Sequence, residues 1–366
     1  MSYSNQWPPQ QQTPYPPQYP QQPGFPQQPQ YYQPKKSNWG LIAAIVGGGG
    51  LILVLLCCGG LAMAVRTPAP SAASKQPFEY ASVPAPQFDE RSEAEQHELE
   101  PGVTQHVVSI GVDDGGFYDT PGHGGYMYLY LPPGEHAPKS LPCIVIAPAG
   151  STLLAGMYLG EGDEPEHIPY VKAGIAVLSY ELDGPCYDDT DTDEMREAYD
   201  AFKDSRAGLV NGRNAVDYLL AKVPEVDPAR IYAAGHSSAA THALLLAAHE
   251  PRLAGVIAYA PATDLPKRMG PQLPFFRFLL PGMVDFVTQS SPSTHLAALK
   301  KPVFLFHAED DSNCPIADTR AFAEKLKTQG TDVKLVTAAS GEHYDSMIDE
   351  GIPAAIEWLR EKKAVK

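Results

Sequence analysis

Residues 230–246 read Arg-Ile-Tyr-Ala-Ala-Gly-His-Ser-Ser-Ala-Ala-Thr-His-Ala-Leu-Leu-Leu, an apolar strand, a tight turn and a helix in immediate succession. The turn itself, Gly235-His236-Ser237-Ser238-Ala239, has the form G-x-S-x-G with alanine in the last place. Such a turn lifts its serine above the end of a sheet in a strained backbone, and small flanking residues let strand and helix approach. The helix behind Ser237 also aims its free N–H groups and positive dipole end at the turn. A serine that merely caps a helix is the bland alternative, and the strand–turn–helix context favours a nucleophile. The methyl of Ala239 leaves less room than glycine would.

Outward from this turn, strand and helix patterns alternate. Strands are expected at Thr104–Val112, Gly125–Leu131, Cys143–Ala147, Ala176–Tyr180, Arg230–Ala234, Gly255–Tyr259, Val303–His307 and Val333–Thr337. The later ones are short, continuous apolar runs, the pattern of strands covered on both faces. Helices are expected at His167–Lys172, Asp193–Lys222, Ser238–His249, Ile316–Thr328 and Ser346–Lys362. This alternation implies an α/β fold with a mostly parallel eight-stranded sheet, helices on both faces and an antiparallel start. Chemistry in such sheets gathers at the carboxyl ends of the strands.

Two further strand ends carry suitable groups. After Val303–His307 come Glu309, Asp310 and Asp311, and after Val333–Thr337 comes Gly341-Glu342-His343. A serine nucleophile needs a histidine base and a buried carboxylate to hold the histidine's tautomer. His343 satisfies the order serine, acid, histidine along successive late strands. The pattern leaves the choice among the three acids open.

The first hundred residues differ from the rest. Residues 1–38 are rich in Gln, Pro and Tyr and lack apolar periodicity, so they read as a disordered tail able to bind partners. Residues 39–65 contain no charge. At about 1.5 Å per residue such a helix crosses a bilayer core. It reads as an uncleaved single-pass anchor, since the tail before it is too long for a signal peptide. Lys35 and Lys36 precede it against Arg66 and Lys75 after it, which favours a cytoplasmic N-terminus and an extracytoplasmic main domain. Residues 66–100 read as an acidic, Pro-rich, solvated linker to a domain spanning 101–366. The net charge of −16, with no basic patch, argues against nucleic-acid binding. Cys186 and Cys314 both fall in loops near the expected site, and whether they pair is left open. The acids of loop 183–195 read as solvated rather than as a cation site, because no ligand spacing is present.

The turn at 235–239, Ser291-Pro-Ser-Thr-His-Leu, Lys301-Pro-Val-Phe-Leu-Phe-His and Gly341-Glu-His resemble the catalytic domain of the prolyl oligopeptidase family and its dienelactone-hydrolase-like and acetyl-esterase-like α/β-hydrolase relatives. The resemblance runs from about Leu141 to the C-terminus. It places the acid at Asp311, three residues after Ala308, with Asn313 and Pro315 fitting the same loop. It implies oxyanion donors at the Ser238 amide and in the loop after Cys143–Ala147, where Gly150 or Ser151 stands in place of the usual His-Gly-Gly. There is no room in 66–100 for the β-propeller that prolyl oligopeptidases carry.

Residues 264–292 form an insertion containing Phe275, Phe276 and Phe278, suited either to a substrate pocket over Ser237 or to an ordinary packed helix. Together these features predict a membrane-anchored serine hydrolase that acts on small ester or peptide substrates without metal or organic cofactor. Ser237, Asp311 and His343 form its triad. The competing reading is a non-catalytic membrane-anchored scaffold with a degenerate hydrolase fold, motivated by alanine at 149, 239 and 308 where glycine is usual.

Overall fold

Strand Leu141–Ile146 sends its side chains alternately to two cores, and this alternation organises the whole domain. The computed structural model describes residues 82–92, 95–96, 100–110, 120–160, 162–186, 192–270, 273, 280 and 282–365. All of them fall within one compact unit, Pro70–Lys366. The apolar run read as an anchor, 39–65, lies outside the described residues, among which no helix is long and apolar enough to cross a membrane.

In chain order the strands are β1 (Glu95–Gln96), β2 (Thr104–Ser109), β3 (Tyr126–Leu131), β4 (Leu141–Ile146), β5 (Ala176–Tyr180), β6 (Val226–His236), β7 (Gly255–Tyr259), β8 (Val303–Ala308) and β9 (Val333–Ala338). They form one sheet in the order β1-β2-β3-β5-β4-β6-β7-β8-β9. Pairs β1–β2, β2–β3 and β3–β5 are antiparallel, and every pair from β5–β4 to β8–β9 is parallel. The eight expected strands are all present. The two-residue β1 is an addition, too short to leave a periodic signal.

The principal helices are α1 (Glu164–Lys172), α2 (Thr192–Asp204), α3 (Leu209–Lys222), α4 (Ser238–His249), α5 (Leu265–Met269), α6 (Met283–Gln289), α7 (Ile316–Thr328) and α8 (Ile352–Glu361). Cys143 and Val145 of β4, Val256 and Ala258 of β7, and Val303 and Leu305 of β8 join the core beneath α3, α4 and α7. The intervening Ile144, Ile146, Ile257, Phe304 and Phe306 join the core beneath α1 and α8. A strand with a period of two, buried on both sides, has to be apolar throughout, which explains the unbroken apolar runs.

Two expectations change. The single helix expected over 193–222 is two, because Arg206, Ala207 and Gly208 adopt φ of 60°, 56° and 79° in succession. A right-handed helix cannot continue through three left-handed residues. Residues 82–92, expected as solvated linker, lie against the domain. Arg213 donates to the carbonyls of Val83 (2.7 Å) and Pro84 (3.4 Å), Arg91 donates to Glu225 at 2.9 Å, and Phe88 packs edge-on against Tyr218. Acids that look solvated in sequence thus meet bases from the domain, with Glu90 on Lys222 and Glu100 on Lys172.

Candidate active site

The turn after β6 has the strain its sequence implies. Ser237 sits at φ 56°, ψ −116°, where a non-glycine residue is rare. Its N–H donates to the Tyr259 carbonyl at 2.8 Å, and its own carbonyl accepts from the Thr241 amide and hydroxyl at 3.1 Å each. The close approach is made by Gly235, not by residue 239. A Cβ on Gly235 would lie 2.4 Å from the backbone of Ala239, whereas the Ala239 methyl sits in the apolar core. Alanine at 239 is therefore accommodated. Gly235→Ala forces strand and helix apart, and we expect a loss of about 3 kcal/mol, read as a lower urea midpoint at unchanged slope.

The loop after β8 separates its three acids by partner. Glu309 is on the surface and pairs with Arg320. Asp310 accepts from the amides of Gly341 (3.2 Å) and Glu342 (2.9 Å), and so shapes the loop that carries His343. Asp311 is the buried one. Its Oδ2 lies 2.7 Å from His343 Nδ1 and 3.0 Å from His307 Nε2, and its Oδ1 accepts from the amides of Asn313 and Cys314 at 2.8 Å each. Burial alone would raise its pKa. The hydrogen bonds from His307, His343 and the backbone outweigh it and hold the carboxyl far below the usual range. His307 is wholly buried, and Thr319 Oγ donates to its Nδ1 at 2.8 Å, so its Nε2–H faces Asp311 and the Cys314 carbonyl, the latter at 2.9 Å. Nothing in the sequence pattern signals this buttress, since His307 stands there only as the last residue of an apolar strand.

His343 follows two left-handed residues, Gly341 at φ 115° and Glu342 at φ 53°. A Cβ on Gly341 would strike Ser346 at 2.8 Å, so only glycine fits the turn. The His343 Nε2 is buried and has no hydrogen-bond partner among the described residues, while its Nδ1 is committed to Asp311. A half-buried imidazole whose Nδ1 is held by a carboxylate leaves Nε2 as the nitrogen that can take or give a proton.

The Ser238 amide is the first of α4 and has no intrahelical acceptor. The loop after β4 reaches the same place, where the Ser151 N–H donates to Ser238 Oγ at 3.0 Å. That bond occupies the Ser151 amide, and Gly150, at φ 97°, is the remaining candidate of the pair. Phe275, Phe276 and Phe278 lie outside the described residues. Of the same insertion, Phe286 packs edge-on against Tyr199 and Phe202, and Arg268 donates to the Asn313 carbonyl and side chain at 2.9 Å each, tying the insertion to the acid loop. Asp183 is not solvated as expected. It is half-buried and accepts from the Gly122 amide at 2.6 Å and from Asn211 at 2.7 Å. Cys186 and Cys314 are both free thiols.

Glu166 of α1 carries no sequence signal of its own. It is 7% exposed, and burial, with the charge of Asp163 behind it, pushes its carboxyl up to about 8. The folded chain therefore keeps a proton that the unfolded chain releases above its ordinary value, and stability falls as pH rises from roughly 4.5 to 8. Glu166→Gln removes this loss. We expect the variant to match the wild type in stability at pH 4.5 and to exceed it by of order 3 kcal/mol at pH 8, measured by urea unfolding.

Residues 212–362 match the Prolyl oligopeptidase family. Comparison with curated proteins gives no match. Among solved structures, the chain is similar to an acetyl xylan esterase from Paenibacillus sp. R4 (19% identity, TM-score 0.53, covering 77% of this chain and 90% of that one). It is similar also to acetyl xylan esterase 1 from Thermoanaerobacterium sp. JW/SL YS485 (14% identity, TM-score 0.54, covering 76% and 88%). An acylaminoacyl peptidase from Pyrococcus horikoshii is likewise similar (15% identity, TM-score 0.55), with 72% of this chain covering 42% of that longer one. At these identities the likeness is one of fold. The chain is a serine hydrolase with an α/β-hydrolase fold, and over residues 212–362 it matches the prolyl oligopeptidase family.

Proposed function

We propose that the chain cleaves small acyl esters or peptide amides through an acyl-enzyme on Ser237, with His343 as base and Asp311 as its orienting acid. The observation that carries this is the Asp311–His343 contact at 2.7 Å, made between the loops after β8 and β9 at the same end of the parallel sheet as the strained Ser237. Ser237 Oγ attacks the substrate carbonyl while His343 Nε2 takes its proton. The imidazolium is stabilised by Asp311, and the oxyanion by the amides of Ser238 and Gly150. His343 then gives the proton to the leaving alkoxide or amine, and the acyl group stays on Ser237. Water repeats the sequence with His343 as base, releasing the acid and restoring the serine. No step requires a metal or an organic cofactor.

Residues 39–65 tether this domain to a membrane, with the N-terminal tail on the cytoplasmic side and free to engage partners there. Supporting this are the uncharged apolar run and the two lysines before it. The substrate class is tested on the full-length chain in detergent, with p-nitrophenyl acetate and butyrate set against aminoacyl and prolyl p-nitroanilides. Ester turnover with an initial burst is expected. Release of nitrophenol and nitroaniline at the rate of the Ser237→Ala variant would sink the proposal.

A further inference from the structure

We infer that His236, the residue before the nucleophile, is a positioning residue whose Nε2–H holds the main-chain carbonyl of His343 and so sets the imidazole's place beside Ser237. This rests on the serine-hydrolase reading of the site. His236 closes β6, is 4% exposed, and lies with its Nε2 2.8 Å from the His343 carbonyl oxygen. A carbonyl can only accept, so Nε2 carries the proton. The two imidazole rings also touch at a tilt of 46°, with centroids 4.6 Å apart, and the Tyr344 ring stands edge-on to His236 with centroids 5.6 Å apart. Nδ1 looks toward Glu166 Oε1 at 3.9 Å, too far for a hydrogen bond, so the carbonyl is the group that holds the ring.

His343 needs such a hold because no helix or strand carries it. Asp310 anchors the amides of Gly341 and Glu342, and Asp311 anchors the imidazole at Nδ1. Both anchors come from the loop after β8. His236 supplies an anchor from the nucleophile's own strand, one peptide unit from Ser237, so the base is referenced directly to the atom it serves. An error of about 1 Å in such a relation costs on the order of 100-fold in rate. The arrangement also requires His236 to stay neutral beside an imidazole that becomes charged. Burial, with His343 next to it, lowers its pKa to about 4. The groups facing it are Glu166, Asp311, His307, His343 and Tyr344.

The test compares His236→Leu, which fills space without a donor, with His236→Gln, whose amide nitrogen reaches about as far as Nε2, and His236→Asn, whose amide nitrogen stops short. All are made in the full-length chain and assayed in detergent with p-nitrophenyl butyrate and a fluorophosphonate. We expect Leu and Asn to bring a 30- to 100-fold loss of turnover rate with KM within twofold, to slow labelling of Ser237 by the same factor, and Gln to recover to within fivefold of wild type. If Leu fails to fold, the Asn–Gln contrast still decides. Equal turnover for Asn and Gln, or a folded Leu variant at the wild-type rate, overturns the inference. A wild-type chain that does not label at Ser237 contradicts the proposed function instead, so the two failures are told apart.

Discussion

Ser237→Ala is expected to reduce kcat/KM on short acyl esters by at least 10⁴-fold while leaving the fold intact. The removed Oγ is the only atom that can form the acyl-enzyme, and the remaining oxyanion donors retain a residual acceleration of about 10³-fold over water. The same position carries a second, opposite expectation. Its φ of 56° strains any side chain, whether serine or alanine. Ser237→Gly relieves that strain, so it should unfold at higher urea than Ser237→Ala, by about 1 kcal/mol. Inactivity in both variants, joined to greater stability in one, separates lost chemistry from lost structure. An alanine variant that keeps even a tenth of the wild-type rate would place the nucleophile elsewhere.

Asp311→Asn carries the next largest effect, a loss of roughly three to four orders of magnitude in turnover rate with the fold preserved, by the tautomer argument that applies to such triads. The wild-type carboxylate accepts hydrogen bonds from His343 Nδ1 and His307 Nε2 on one oxygen and from two amides on the other. An asparagine turns one of these acceptors into a donor and favours the wrong imidazole tautomer, which points an N–H at Ser237. The depressed pKa of Asp311 gives the pH dependence. Its folded value lies below its unfolded value, so its contribution to stability is complete above about pH 4 and is lost only as pH falls toward the folded value. The stability gap between wild type and Asp311→Asn therefore persists undiminished from pH 8 to pH 5. A gap that closes on raising the pH from 5 to 8 would show that Asp311 is not the group held ionised.

The strand–turn–helix at 230–246 was legible because each part of it is local. An apolar strand buried on both faces, a glycine where Cβ would meet the next helix, and a helix beginning at the following residue are all written within seventeen consecutive positions. The eight long strands were legible for the same reason. What escaped depends on groups far apart in the chain. Asp310 and Asp311 are neighbours with different roles, and the difference lies in whether a carboxylate meets two amides of the His343 loop or the imidazole itself. The pattern could not separate them, and only family resemblance singled out Asp311. His236 and His307 looked like ordinary strand-end residues, yet one reaches across 107 positions to a carbonyl and the other buttresses the acid. The break after α2 escaped because only Gly208, of the three left-handed residues, is a type that signals one. The docking of 82–92 escaped because Arg213, Lys222 and Glu225, which hold it, are spread along α3 and the turn before β6.

The most direct test of the central claim is covalent. The purified full-length chain, in detergent, is incubated with a fluorophosphonate and its intact mass and labelled peptide are measured. One adduct per chain on Ser237 is predicted, formed at least 100-fold more slowly in His343→Ala and not at all after denaturation. A native chain that takes up no adduct, or one labelled at another residue at the wild-type rate when Ser237 is alanine, would contradict it.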